Sequence, residues 1–324
     1  MVKAIVVREN GGPEAMRLED VSLAKPGEGQ VRLRQSLIGV NFIDCYHRSG
    51  LYPLPKPLTP GMEGVGVVEE VGPGVADLSP GDRVCYGNGP IGGYAEARLI
   101  PAASLVKVPA RLKDEQLGGG LLRGLTVWYL VRSMHALQPG ETVLFHAAAG
   151  GVGLMFCQWA TALGARVIGT VGSADKAAAA RKAGCGDVIL YKTEDFVARV
   201  KELTGGRGVS VVYDGVGKDT FFKSLDCLSP RGLMVSFGNA SGPPPALDVG
   251  SLAPKGSLFV TRPTLAHYTG ARADLVRGMT ELFEMIAAGK VTNDVGQSYG
   301  LEQAPHAHGD LEARRTTGST VLVP

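Results

Sequence analysis

Residues 142–163 constrain this chain more than any other stretch. Thr142-Val-Leu-Phe145 is β-branched and aromatic, His146-Ala-Ala-Ala-Gly-Gly-Val-Gly153 is built from small residues, and Leu154 to Leu163 follows a helical apolar pattern. Strand, glycine turn and helix in that order are what a dinucleotide-binding crossover needs. The glycines let the backbone approach a pyrophosphate, and the helix N-terminus offers free N–H groups with a favourable dipole. One position departs from Gly-x-Gly-x-x-Gly: Ala148 stands where the first glycine would be.

The surroundings strengthen this reading. From about residue 123, strand-like and helix-like runs alternate: Thr142–Phe145, Leu154–Leu163, Arg166–Thr170, Lys176–Ala183, Val188–Tyr191, Asp195–Leu203, Val209–Tyr213, Thr220–Leu228 and Leu233–Phe237. That rhythm predicts an α/β, doubly wound parallel sheet, a Rossmann domain. Ser257–Thr261 is a candidate sixth strand. Before residue 123 the chain is β-rich, with short runs at Ala4–Val7, Val31–Ser36, Gly64–Val71, Arg83–Cys85 and Leu105–Val108 between Gly and Pro. The last sixty or so residues hold one good helix, Asp274–Ala288, and an apolar strand, Thr320–Val323, too little for a core of their own. The expected division is therefore 1–122, 123–262 and 263–324, with the last segment returning to the first domain.

Charge and cysteine usage narrow the class. The 33 basic and 31 acidic residues leave a net charge of +2 with no long basic run, so no nucleic-acid partner is expected. Nothing resembles a signal peptide or a membrane span. The five cysteines lie at least 28 positions apart with no Cys-x-x-Cys pair, which fits reduced cytoplasmic thiols better than disulfides or a zinc ribbon.

The second strand of such a sheet points to the nucleotide. NAD enzymes often place Asp or Glu about 20 residues beyond the glycines, on the ribose 2′-hydroxyl. Here Val171, 18 positions after Gly153, takes that place, with Ser173 and Lys176 next and Arg181 further on. A carboxylate facing a 2′-phosphate at roughly 4 Å would cost on the order of 4 kcal/mol at an effective dielectric of about 20. A hydroxyl and a lysine offer a donor and a positive charge instead, so NADPH is the expected cofactor. Asp175 is a mild counter-signal, although it can cap the following helix.

Three segments carry a resemblance: Gly39-Val-Asn-Phe-Ile-Asp-Cys-Tyr-His-Arg-Ser-Gly-Leu-Tyr52, His146 to Gly153, and Arg231-Gly-Leu-Met-Val-Ser-Phe-Gly-Asn239. The chain resembles the bacterial NADPH:quinone oxidoreductases, the zeta-crystallin-like branch of the medium-chain dehydrogenase/reductase superfamily. The resemblance implies a discontinuous, β-rich GroES-like catalytic domain split around the Rossmann domain, with the active site in the cleft between them. It also implies a homodimer formed partly by edge strands, here Ser257–Thr261. Carried over, Gly150, Gly151, Val152 and Gly153 would wrap the pyrophosphate, Ser173 and Lys176 would face the 2′-phosphate, and Tyr191 would lie against the adenosine. Thr126 would sit close to the nicotinamide half, Val216, Phe237, Gly238 and Asn239 would come from the loops that end at the binding crevice, Val260, Thr261 and Arg262 would lie near the nicotinamide end, and Arg314 would reach the cofactor from the C-terminal segment.

Zinc alcohol dehydrogenases of the superfamily carry Cys and His ligands where this chain has Asn41 and Met62, and their structural zinc lobe is absent. No metal is expected, and His306-Ala-His308, the only close histidine pair, reads as helix or loop surface. Without a Lewis acid, a quinone is the easier hydride acceptor, because its charge delocalises into an aromatic ring. Asn41, Tyr46 and Tyr52 are the expected pocket, with Asn41 and Tyr46 also touching the cofactor: an amide and phenols to donate to quinone oxygens, rings to stack. Arg123 supplies positive charge near the acceptor or forms an interdomain structural ion pair. Reduction of an enone or other polarised alkene, and a non-enzymatic NADPH-binding role, structural or RNA-binding, remain as alternatives.

Overall fold

The computed structural model describes all residues, Met1–Pro324. They fall into two compact units, Met1–Thr126 with Thr269–Pro324, and Val127–Tyr268. The first boundary lies within the helix Leu121–Trp128, so the break in sequence pattern near residue 122 precedes it by one helical turn.

The first unit opens with an antiparallel pair, β1 (Val2–Val7) and β2 (Met16–Val21). Then come β3 (Gln30–Val40), the helix Phe42–Ser49, β4 (Gly64–Val71), β5 (Arg83–Tyr86), β6 (Ala97–Pro101) and β7 (Val106–Lys107). β3 is the central strand, antiparallel to both β4 and β6. Val31, Leu33, Val68, Val84, Tyr86 and Ile100 project from these strands into one apolar cluster, joined by Leu105 just before β7.

The second unit holds β8 (Thr142–His146), β9 (Arg166–Val171), β10 (Asp187–Leu190), β11 (Val209–Asp214), β12 (Leu228–Ser236) and β13 (Phe259–Thr261). They form one parallel sheet in the order β10-β9-β8-β11-β12-β13. The order reverses between β8 and β11, and the carboxyl ends beside that reversal form the crevice where ligands of such sheets bind. The expected doubly wound sheet is therefore present. Leu144, Ile168, Ile189, Val212 and Met234 bury one face of it. Phe145, Phe156 and Tyr213 stack on the other, with Phe156 4.4 Å from Phe145 and 4.7 Å from Tyr213.

The final segment rejoins the first unit through the helix Arg272–Ala287, β14 (Val295–Gly300), the helix Ala304–Glu312 and β15 (Ser319–Val323). β15 pairs with β3 and β14 pairs with β15. Sequence pattern misses β2, β14 and the helix Ala304–Glu312, all half-exposed elements without clean periodicity. It also overextends Thr220–Leu228, which is a helix only over Phe221–Leu225 before β12 begins.

Candidate functional site: a dinucleotide cradle and a polar-aromatic wall

The strand β8 ends at His146, and the turn that follows is made by Ala147 in the left-handed region, φ 57°. The helix Gly151–Ala162 starts from Gly150, and no side chain caps it. Its first N–H groups therefore have neither an intrahelical partner nor a side-chain acceptor, the condition for holding a pyrophosphate. A Cβ on Gly153 would lie 2.5 Å from the Ala147 carbonyl oxygen, so only glycine lets the helix sit this close to the turn. Ala148 is explained by its neighbour. Its side chain is buried against Gly169 of β9, where an added Cβ would lie 2.6 Å from the Ala148 Cβ. The glycine missing from the loop is thus supplied by the adjacent strand, a signal that a motif search confined to the loop overlooks.

At the end of β9, Val171 is buried. Gly172 is half-buried and exposure begins at Ser173, two residues later than the spacing rule places it. Ser173 caps the helix Ala174–Lys182, accepting the Lys176 N–H at 3.5 Å, and Lys176 itself is exposed. Asp175 is consequently a first-turn residue and not the cap. Arg181 lies in the last turn, away from this end. Tyr191, after β10, is 44% exposed, and its hydroxyl would stand 2.9 Å from a Cβ on Gly172.

The loops after β11 and β12 are held by a buried polar network with no place in the sequence reading. Asp214, fully buried, accepts Val216 N–H at 2.8 Å and Gly217 N–H at 3.0 Å through Oδ1. Its Oδ2 accepts from the Thr220 and Ser224 hydroxyls at 2.7 and 3.1 Å. Ser224 lies 2.9 Å from His146 Nε2, and His146 Nδ1 lies 2.9 Å from the Thr170 hydroxyl. Because the carboxylate can only accept, Ser224 donates to it, Nε2–H donates to Ser224, and Nδ1 accepts from Thr170. Burial holds His146 below its ordinary pKa, which keeps it neutral. The sequence clue is a carboxylate ending an otherwise apolar strand. Phe237 covers Gly215, and the Arg262 guanidinium donates to the Ser236 and Gly238 carbonyls at 2.8 and 3.0 Å. Val260 and Thr261 are partly exposed on β13, and Asn239 follows Gly238 in the loop after β12.

In the first unit, Asn41 precedes the helix Phe42–Ser49 and is 9% exposed. Its Nδ2 donates one of its two N–H groups to Glu63 Oε1 at 2.6 Å, which fixes the orientation of the amide and leaves the second N–H and Oδ1. Tyr46 and Tyr52 meet edge to face at 5.2 Å, and Phe42, 42% exposed, stands 6.5 Å from Tyr46. The helix is anchored from below. Arg48 donates to the Gly11 carbonyl, to Glu312 and to His308 Nδ1 at 3.0, 2.7 and 3.0 Å. His308 Nε2 then donates to the Tyr94 hydroxyl at 2.9 Å, and Tyr94 donates to Asp44 at 3.0 Å. His308 is fully buried, which corrects its reading as surface; only His306 is exposed, beside Asp310 at 3.3 Å. Thr126 bonds its hydroxyl back to the Leu122 carbonyl at 2.8 Å. Arg123 is tied to the Gly119 and Gly318 carbonyls, a structural link within the unit and no ion pair with an outside partner. Arg314 is exposed, with φ 58°, after the helix Ala304–Glu312.

Two family descriptions match, alcohol dehydrogenase GroES-like domain over residues 27–110 and zinc-binding dehydrogenase over 151–284. The quinone oxidoreductase of Pseudomonas aeruginosa is 50% identical, with all of each chain covered. The chain belongs to the quinone oxidoreductases of the medium-chain dehydrogenase/reductase superfamily. A 2-haloacrylate reductase from Burkholderia sp is 48% identical over 100% of this chain and 99% of its own length. A crystal structure of Escherichia coli quinone oxidoreductase complexed with NADPH superimposes with a TM-score of 0.97 at 49% identity, covering 99% of this chain and 100% of that one.

The zinc in one family description does not fit the residues of this member. Asn41 and Met62 stand at the ligand places, one an amide bound to Glu63 and the other a thioether, and no group of His, Cys, Asp and Glu is placed to hold a metal ion. A dinucleotide does fit: the uncapped helix start and the methyl-free Gly153, with Tyr191 lying close against Gly172, are the cradle such a ligand requires.

Proposed function

We propose that this chain is an NADPH-dependent quinone reductase that needs no metal. The observation that carries the reading is the match across both whole chains, at 50% identity, to a quinone oxidoreductase. Bound NADPH supplies the hydride. The chain's own work is to bind and orient. The N–H groups of Gly151, Val152 and Gly153 take the pyrophosphate, Ser173 and Lys176 the 2′-phosphate, and Tyr191 the adenosine. Val216, Phe237, Gly238, Asn239, Val260, Thr261 and Arg262, with Thr126, Asn41, Tyr46 and Arg314, hold the nicotinamide half. Tyr46 and Tyr52 offer ring faces and phenol donors to a planar acceptor.

Stopped-flow mixing with a panel of simple quinones and enones tests the activity. The expected result is rapid NADPH oxidation with quinones and recovery of hydroquinone. The 48% identity to a 2-haloacrylate reductase favours a second reading, reduction of a polarised alkene. Saturated product from the enones, with no oxidation by quinones, would establish that reading in its place.

Cofactor choice has its own test. Lys176→Glu places a negative charge toward the 2′-phosphate and is expected to raise the KM for NADPH at least about tenfold while leaving that for NADH unchanged. The effect should shrink at high salt. Equal changes for both cofactors would remove Lys176 from the phosphate site.

We also place the protein in the cytoplasm as a homodimer without a nucleic-acid partner. The five cysteines are free thiols, the net charge is near zero, and the edge strand β13 exposes Phe259 at 61%. No helix is long and apolar enough to cross a membrane.

A further inference from the structure

Glu63 is fully buried and satisfies three donors. Oε1 accepts Asn41 Nδ2 at 2.6 Å, while Oε2 accepts Leu121 N–H at 2.7 Å and Leu122 N–H at 3.1 Å. Gly39 makes room for the carboxylate, since a Cβ there would lie 2.3 Å from Oε1. Asn41 makes no capping bond with its side chain, and the Asp44 N–H goes to the Asn41 backbone carbonyl at 3.0 Å. The amide is therefore oriented by Glu63 alone. Inverting it would set Asn41 Oδ1 against Oε1, two acceptors face to face.

The consequence is chemical. With one Nδ2–H given to Glu63, the amide keeps its second N–H and Oδ1, its one side-chain acceptor. A quinone carries carbonyl acceptors and gains nothing from Oδ1. The nicotinamide half of NADPH carries donors, a carboxamide NH₂ and ribose hydroxyls. We propose that Glu63 is a positioning residue that presents the Asn41 carbonyl oxygen to a donor on the nicotinamide half of NADPH. This rests on NADPH being the cofactor.

The test exploits the two backbone N–H groups. In Glu63→Gln, the side-chain oxygen must stay with Leu121 and Leu122, because an NH₂ there would face their N–H groups. The new amide then turns its NH₂ toward Asn41, which must invert and show NH₂ to the cofactor. E63Q is expected to weaken NADPH binding, read by fluorescence titration without acceptor, about tenfold or more, with the KM for quinone within about twofold. Adding Asn41→Asp to E63Q restores an outward acceptor, because a carboxylate at position 41 accepts from the new amide with one oxygen and presents the other. The double variant should bind NADPH within about threefold of the parent chain, a recovery that a purely structural buttress would not show. Parent-like binding by E63Q overturns the proposal, and so does failure of the double variant to recover. Should E63Q alone not fold, the double variant decides by the same threefold criterion. Failure of the unmodified chain to bind NADPH would instead remove the cofactor reading, a separate outcome.

Discussion

A Gly153→Val chain is expected to lose at least about a hundredfold in NADPH affinity, roughly 2.7 kcal/mol, while keeping its secondary structure. The added Cβ would lie 2.5 Å from the Ala147 carbonyl oxygen and 2.7 Å from the Ala148 carbonyl carbon and oxygen. These are backbone atoms, so no rotamer relieves the overlap, and the turn or the helix must move. The Ala147 turn has little freedom to yield: its residue already sits at φ 57°, and Ala148 N–H is bonded to the Thr170 carbonyl at 3.0 Å. Displacing the helix start redirects the N–H groups proposed to hold the pyrophosphate. Gly153→Ala should lose affinity in the same direction by less. Fluorescence titration with NADPH, alongside circular dichroism, reads both. Affinity within about threefold of the parent would place the cradle elsewhere.

The cradle was legible because its determinants are local. Strand, small residues and helix occupy 22 consecutive positions, and five such alternations leave few topologies. Ser173 and Lys176 lie in the same short segment, although spacing points to Val171, which is buried like the four strand residues before it. What stayed hidden depends on residues far apart. Ala148 looks like a defect until Gly169 is seen beside it. Asn41 looks like an unrestrained amide until Glu63, 22 positions later, takes one of its two Nδ2 hydrogens and fixes its orientation. His308 is a surface residue by composition and a core residue by contact, because Tyr94 and Arg48 reach it across more than 200 positions. Polar groups can be buried only when every partner arrives, and no local pattern announces that arrival. Tyr46 and Tyr52 lie in between: they share one short segment and meet at 5.2 Å, but no local pattern names the acceptor proposed for them.

The same buried network should make two conservative variants respond to pH in opposite directions. Asp44 accepts the Asn41 N–H and the Tyr94 hydroxyl, yet burial raises its carboxyl from 3.8 to about 7. A folded pKa above the unfolded one gives stability that is complete below pH 3.8 and lost as pH rises through 7, about 4 kcal/mol for a shift of this size. Burial and the neighbouring Arg48 lower His308 from 6.5 to about 3. Its contribution is complete above pH 6.5 and lost as pH falls toward 3, about 5 kcal/mol in the other direction. Between pH 4 and 6.5 the two nearly cancel in the parent chain. Removing either exposes the other. Asp44→Asn keeps an oxygen for both donors, and its unpartnered side costs the same at every pH. Relative to the parent it should therefore gain about 1.4 kcal/mol for each pH unit from 4.5 to 6.5. His308→Gln should show the mirror image, its deficit shrinking by a similar amount per unit as pH falls. Urea unfolding across this range measures both, and differences from the parent that stay constant with pH would mean that neither group titrates in the folded chain as its burial requires.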